Sequence, residues 1–145
     1  MSDKTGRPGP FGYTLKRAQQ ALRQAMDSRL AEIDLTTPQY AALSELSETS
    51  GLSNAELARR CFVTPQTMHQ LLRGLEKKGL IERSPHPEHG RILEIGVTHR
   101  GNKRLVEAHS VVGDVERVMT RNLSHSEIKR ANEVLTECYE ALQGE

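Results

Sequence analysis

A chain of 145 residues with 36% hydrophobic and 27% charged residues fits one domain large enough to bury a core of its own. No apolar run approaches bilayer-spanning length, and the opening MSDKTGRPGPFG lacks the apolar stretch of a secretory signal, so a cytoplasmic protein with no membrane partner is expected. Two cysteines, Cys61 and Cys138, are too few for a disulfide framework or a four-ligand zinc cluster, and a net charge of +1 argues against an indiscriminate polyanion binder.

Residues 1–10, rich in Gly and Pro, read as a flexible arm, and residues 11–145 as a single domain. A first helix is expected with Leu15, Ala18, Leu22, Ala25 or Met26, and Leu30 along one apolar face. A second starts at TTPQYAALSEL, with Thr37 as the cap and Pro38 at the first helical position, where its missing N–H costs nothing. Tyr40, Leu43 and Leu46 face inward, and Gly51 closes the segment. In SNAELARRC, Ser53 followed three residues later by Glu56 reads as a capping box, with Leu57, Ala58 and Cys61 on the inner side beside Phe62 and Val63. The next helix, VTPQTMHQLLRGLEKKG, is capped by Thr64, carries Pro65 in its first turn, and ends on Lys77 and Lys78 before Gly79.

From Leu80 the period becomes alternating. Ile81 and Arg83 precede a polar loop, SPHPEHGR, and Leu93, Ile95 and Val97 return along a second strand, which makes a hairpin with a long tip. A long helix from about Thr98 is expected to bury Leu105, Ala108, Val112, Val115 and Met119. The last helix opens on a capping box, SHSE. It repeats Ile128, Ala131, Leu135, Cys138 and Leu142 at alternating spacings of three and four, a seam for another helix. The fold class expected is mainly α with a small β-hairpin wing.

The helix from Pro65 to Lys78 carries the functional signal. Met68, Leu71, Leu72 and Leu75 fall on its core face, and the opposite stripe is Gln66, Gln70, Arg73 and Lys77, flanked by Thr67 and His69. These side chains suit duplex DNA. Gln can pair with adenine edges, Arg with guanine, Thr can touch a thymine methyl, and Lys neutralises phosphate. Any solvated amphipathic helix shows a polar stripe, so the neighbours decide. A short preceding helix, a tight turn and a following basic-tipped hairpin together make a winged helix-turn-helix, with Arg91 on the wing placed for the minor groove. Residues 53–104 carry ten Lys and Arg against five Glu, whereas the rest of the chain carries ten against fourteen acidic residues. Aromatics at 3% give little material for stacking on single-stranded bases, so duplex is favoured.

The stretch from LTTPQYAALSEL through LSNAELARRCFVTPQTMHQLLRGLEKKGLIER to HGRILEIGVTHRG resembles the MarR family of bacterial transcription regulators over most of the chain. VTHRG occupies the position of the family's usual T-x-x-G. The resemblance implies a homodimer whose N- and C-terminal helices interleave, residues 11–34 and 99–143 here, presenting two winged heads, residues 36–98, to a pseudo-palindromic operator. It also implies a repressor released by a small phenolic or aromatic carboxylate effector, for which Tyr13, Arg17, Tyr40 and His109 are candidates. The implied DNA contacts are Thr64, Gln66, Thr67, His69, Gln70, Arg73, Lys77 and Arg91. The wing departs from the family's common alternation of Asp and Arg. PHPEHGR keeps Arg91 and leaves His89 as the candidate for part of the bracing role.

Three other readings compete. His86 and His89 suggest a metal sensor, although no acid or thiol cluster completes a tetrahedron, and no metal site is expected. Cys61 after Arg59 and Arg60 suggests an oxidation switch, because cationic neighbours lower a thiol's pKa; a buried inert cysteine is the plainer alternative. A winged-helix protein-interaction module without DNA is the third, but such a surface favours apolar hot spots over the stripe found here. The sequence lacks a G-x-S-x-G elbow, a phosphate-binding glycine loop and H-E-x-x-H, so neither an enzyme nor a cofactor is expected.

Overall fold

The structure, a computed structural model, describes residues 6–85, 88, 90 and 93–144. Among the described residues six helices and one hairpin follow in chain order: α1 (Phe11–Ala31), α2 (Thr37–Glu48), α3 (Asn54–Arg60), α4 (Pro65–Lys77), β1 (Ile81–Pro85), β2 (Leu93–Val97), α5 (His99–Thr120) and α6 (His125–Gln143). The two strands pair antiparallel, Ile81 opposite Val97 and Pro85 opposite Leu93. No described helix is long and apolar enough to cross a membrane.

The core sits where α2, α3 and α4 meet the ends of α1 and α5. Leu30, Leu35, Leu43, Leu57, Met68, Leu72, Leu75 and Leu80 are fully buried there. Fully burying each such side chain contributes about 1.5–3 kcal/mol. On α4 the expected face holds, with Met68, Leu72 and Leu75 buried and Leu71 packed against them.

Helix starts follow the capping chemistry, with two corrections. At α2 the cap is Thr36, not Thr37. Its hydroxyl accepts the Gln39 N–H at 3.2 Å while Gln39 Oε1 accepts the Thr36 N–H at 3.2 Å. The reciprocal pair needs Gln three residues after the cap, which selects Thr36. Thr37 becomes the first helical residue and donates its hydroxyl to Asp27 at 2.5 Å, the first cause that holds the Asp27 carboxyl below its usual range. At α3 the box is half formed: Ser53 accepts the Glu56 N–H, but Glu56 Oε1 takes the Ser53 hydroxyl proton instead of its backbone N–H. Thr64 caps α4 by accepting the Thr67 N–H at 3.1 Å, and Ser124 with Glu127 forms a full box on α6.

Burial on the outer helices differs from the sequence expectation. Leu105, Ala108 and Val115 of α5 are buried, Val112 is half-buried, and Met119 is exposed beside Val118. On α1, Leu30 is the one buried residue, whereas Leu15, Ala18 and Ala25 of the apolar face are exposed. α6 buries nothing. Ile128 and Cys138 are half-buried, and Ala131, Leu135 and Leu142 are exposed.

The junction of β2 and α5 explains the T-x-x-G pattern physically. Thr98 caps α5 by accepting the Gly101 N–H at 3.0 Å, and its hydroxyl donates to the Gly79 carbonyl at 2.7 Å. The Thr98 N–H donates to the Leu80 carbonyl at 3.1 Å. A side chain at Gly101 would place its Cβ 2.0 Å from that same carbonyl oxygen.

Candidate nucleic-acid interface and effector groove

α3 and α4 are joined by a turn in which Phe62 adopts φ +58°. No glycine lies between Arg60 and Thr64, so an ordinary residue carries the left-handed conformation that the tight turn requires. Phe62 is 86% exposed, contrary to its expected place on the inner side with Cys61. Lacking a cue from apolar period, its orientation follows from the turn's backbone.

α4 displays its polar stripe as expected. Gln66, Thr67, His69, Gln70, Arg73 and Lys77 are all exposed, as is Thr64 at the cap. The Thr64 hydroxyl also donates to Thr67 Oγ1 at 3.0 Å, so both hydroxyls are oriented before anything binds. Asn54 of α3 donates from Nδ2 to the Pro65 carbonyl at 3.1 Å and ties the two helix starts together. Arg83 on β1 donates to Glu76 Oε2 at 2.9 Å, tethering the hairpin to the back of α4. That pair is part-exposed, and its contribution is on the order of 1 kcal/mol at most. Arg91, His86 and His89 lie outside the described residues.

Lys78 does not join the stripe. The sequence marks it only as a cation at the helix end, but its ammonium turns back onto the α1–α2 turn and donates to the Asp34 carbonyl at 2.8 Å. Nothing in the period of α4 separates it from Lys77; the distinction needs the position of a turn 44 residues away.

The four effector candidates fall into two pairs. Tyr40 on α2 and His109 on α5 share a hydrogen bond of 2.7 Å between the phenol and Nδ1, with the rings edge to face at 5.5 Å. Burial, aided by Glu116 and Glu48, pushes the Tyr40 phenol above its ordinary range, which keeps it protonated. Tyr13 and Arg17, both exposed on α1, stack with the guanidinium 6.0 Å from the ring centroid. No hydrogen bond or ring contact joins one pair to the other among the described residues. Between α1 and α5 runs an apolar groove of about 520 Å³, lined by Ala18, Leu22, Ala25, Val115, Val118 and Met119, with Arg29 among its lining residues. Arg29 already faces Asp114 at 3.5 Å, and Arg117 bonds the other oxygen of that carboxylate.

Cys61 is half-buried, and burial followed by the charge of Glu45 raises its thiol above the ordinary range. This is opposite to the effect expected of Arg59 and Arg60. Arg60 turns to Glu45 and Thr49, both at 3.3 Å. Among the described residues no group of three or more His, Cys, Asp or Glu is placed to hold a metal ion.

Comparison with known proteins follows the same lines. A sequence model of the MarR family matches residues 33–92. The HTH-type transcriptional repressor Rv2887 of Mycobacterium tuberculosis is 40% identical over 113 residues, 77% of this chain and 81% of the relative. The crystal structure of Rv2887, a MarR family protein, in complex with salicylic acid superposes with a TM-score of 0.75 at 34% identity, covering 90% of this chain and 97% of that one. The same protein in complex with DNA gives 0.74 at 31% identity, over 90% and 98% of the two chains. With an element order of three helices, a recognition-type helix, a hairpin and two further helices, and with these relatives spanning most of its length, the chain belongs to the MarR family of transcriptional regulators.

Proposed function

We propose that the protein is a dimeric transcriptional repressor that binds duplex DNA through α4 and the wing and is released by a small phenolic or aromatic carboxylate ligand. The observation that carries the DNA reading is the two-sided character of α4. One face is locked into the core by Met68, Leu72 and Leu75, and the other presents six polar side chains to solvent, with the Thr67 hydroxyl already bonded to the Thr64 cap. A helix held so rigidly on one side can insert the other into a major groove without reordering, and the relative Rv2887 has been crystallised with DNA.

In this reading Thr64, Gln66, Thr67, His69, Gln70 and Arg73 meet base edges and nearby phosphates, Lys77 meets phosphate, and Arg91 enters the flanking minor groove. Replacing Arg73 by alanine is expected to cost about 1–3 kcal/mol and to relax preference at one base position, because a bidentate contact to guanine is lost. Equal weakening on operator and on random duplex speaks against that role. Arg91→Ala is expected to weaken binding chiefly at flanking A·T positions, where the narrow groove concentrates negative potential; an unchanged footprint and affinity remove the wing from the mechanism.

Dimerisation is supported by the unburied apolar surface of α1, α5 and α6, which one chain leaves without a cover. We assign the effector to the region between α1, α2 and α5, with Tyr40 and His109 on one side and Tyr13 and Arg17 on α1. Salicylic acid in the complex of Rv2887 supports the ligand class. The decisive experiment is selection of bound sequences from a random duplex library, then titration of the selected site at two salt concentrations with and without salicylate. An enriched inverted repeat with half-sites about one helical turn apart supports the reading. Affinity should fall with salt at a log-log slope of about −0.9 per phosphate neutralised. No enrichment overturns it.

A further inference from the structure

The turn between α1 and α2 is held by two cations that come from distant parts of the chain. Arg104 of α5 donates from Nη1 to the Ile33 carbonyl at 2.7 Å, and Lys78 at the end of α4 donates from Nζ to the Asp34 carbonyl at 2.8 Å. Both lie at the C-terminal end of α1, where carbonyls lack intrahelical donors and the helix dipole favours positive charge. The Lys78 ammonium also donates to Gln39 Oε1 at 3.0 Å and stands 3.5 Å from the Asp34 carboxylate.

Gln39 ties the start of α2 to the end of α4 at this turn. Its side chain is buried, and its Oε1 accepts both the Thr36 N–H at the start of α2 and the ammonium at the end of α4. Its Nε2 occupies the space beside Gly74, where a Cβ would come within 2.9 Å. Glycine inside a helix is otherwise a disadvantage, and here it admits the amide. Asp34 completes the turn at φ +56°. Its carboxylate is 80% exposed, so the ionic part is screened and the bonds to the Asp34 carbonyl and the Gln39 amide carry the connection.

We infer that this joint sets the pitch of the recognition helix against the α1–α5 frame, and that Lys78 is a positioning residue for operator binding that fixes which half-site spacing the dimer accepts. The inference rests on the dimeric DNA-binding reading above. In a two-fold dimer the separation of the recognition helices depends on how each α4 is tilted on its frame, and operator spacing mirrors that separation. Lys78 touches no residue of the exposed stripe, and its effect passes through the placement of α4.

The test measures full-length wild-type protein, Lys78→Met, Lys78→Arg and Gly74→Ala on the selected operator, on copies with the spacer shortened or lengthened by single base pairs, and on random duplex. Gly74→Ala keeps the ammonium and displaces the Gln39 amide, so a phenotype it shares with Lys78→Met identifies the joint and not the charge. Both variants, sedimenting as folded dimers, are expected to lose about tenfold at the wild-type spacing, within the range by which residues outside a contact surface tune coupling. They are also expected to broaden or shift the spacing optimum while keeping base preference inside each half-site, with Lys78→Arg restoring the optimum. Unchanged spacing profiles in both variants overturn the inference. So does a Lys78→Met loss that is equal on every duplex with Gly74→Ala binding as wild type, since Lys78 then acts as a phosphate contact. If one variant fails to fold, the other's spacing profile decides alone. A wild-type protein without any spacing optimum brings down the dimeric operator reading first and this inference with it.

Discussion

Replacing Gly101 by alanine is expected to lower the unfolding free energy by about 3 kcal/mol, with a drop in melting temperature on the order of 10 °C. Two effects of opposite sign compete. Gly101 lies inside the first turn of α5, where alanine is worth about 1 kcal/mol through helix propensity. Against that, the added Cβ would stand 2.0 Å from the Leu80 carbonyl oxygen, 2.8 Å from Val97 Cγ1 and 3.0 Å from the Leu80 carbonyl carbon. Two of these three contacts are with backbone, which no rotamer change relieves. The Leu80 carbonyl cannot retreat without giving up the Thr98 N–H that it accepts at 3.1 Å, and Thr98 is also the cap of α5 and a donor to Gly79. The clash therefore spreads into the joint between α4, the hairpin and α5. Thermal and urea unfolding at fixed protein concentration check the expectation, and an alanine variant as stable as the parent means that the close approach of Leu80 to α5 is not held in solution.

The glycine illustrates which features local chemistry writes plainly into a sequence and which it does not. T-x-x-G was visible as a pattern, but its reason is a backbone carbonyl from another element, and no local rule reports that. α4 was legible throughout because three local signals agree: the Thr64 cap, the proline after it, and apolar residues at helical spacing. At α2 the same kind of signal leaves two neighbouring positions open. Two threonines precede Pro38, and only the partnership with Gln39 distinguishes Thr36 from Thr37. Met119 and the α6 stripe show a different limit. Apolar spacing states that a face is to be covered, and it is silent on whether the same chain covers it. Phe62 and Lys78 are the clearest gaps at the candidate site. The first is turned outward by a left-handed backbone and the second is turned inward by a partner 44 residues away, and neither cause has a periodic trace.

Ending the chain before Ser124 is expected to yield a folded but monomeric protein whose affinity for the two-half-site operator falls by a factor on the order of 10² or more. α6 contributes no buried residue to the chain's own core, so its loss takes little from the packing of Leu43, Leu57, Met68 and Leu72 against one another. What it removes is apolar surface that has no cover within the chain: Leu135, Tyr139 and Leu142 are exposed on one helix, and the α1–α5 groove lined by Ala18, Leu22, Ala25 and Val118 is a second such surface. Leaving such surface in water costs about 25 cal/mol per Å², and interleaved helices from two chains supply the cover that one chain lacks. A single head retains its base contacts but loses the second head's effective concentration, so the salt dependence should fall to about half its slope while half-site preference persists. Sedimentation velocity distinguishes the cases. A monodisperse monomer that keeps the helical spectrum of the head assigns the seam to the partner chain, whereas a truncated protein that still sediments as a dimer places the interface on α1 and α5 alone and leaves the α6 stripe without its proposed role.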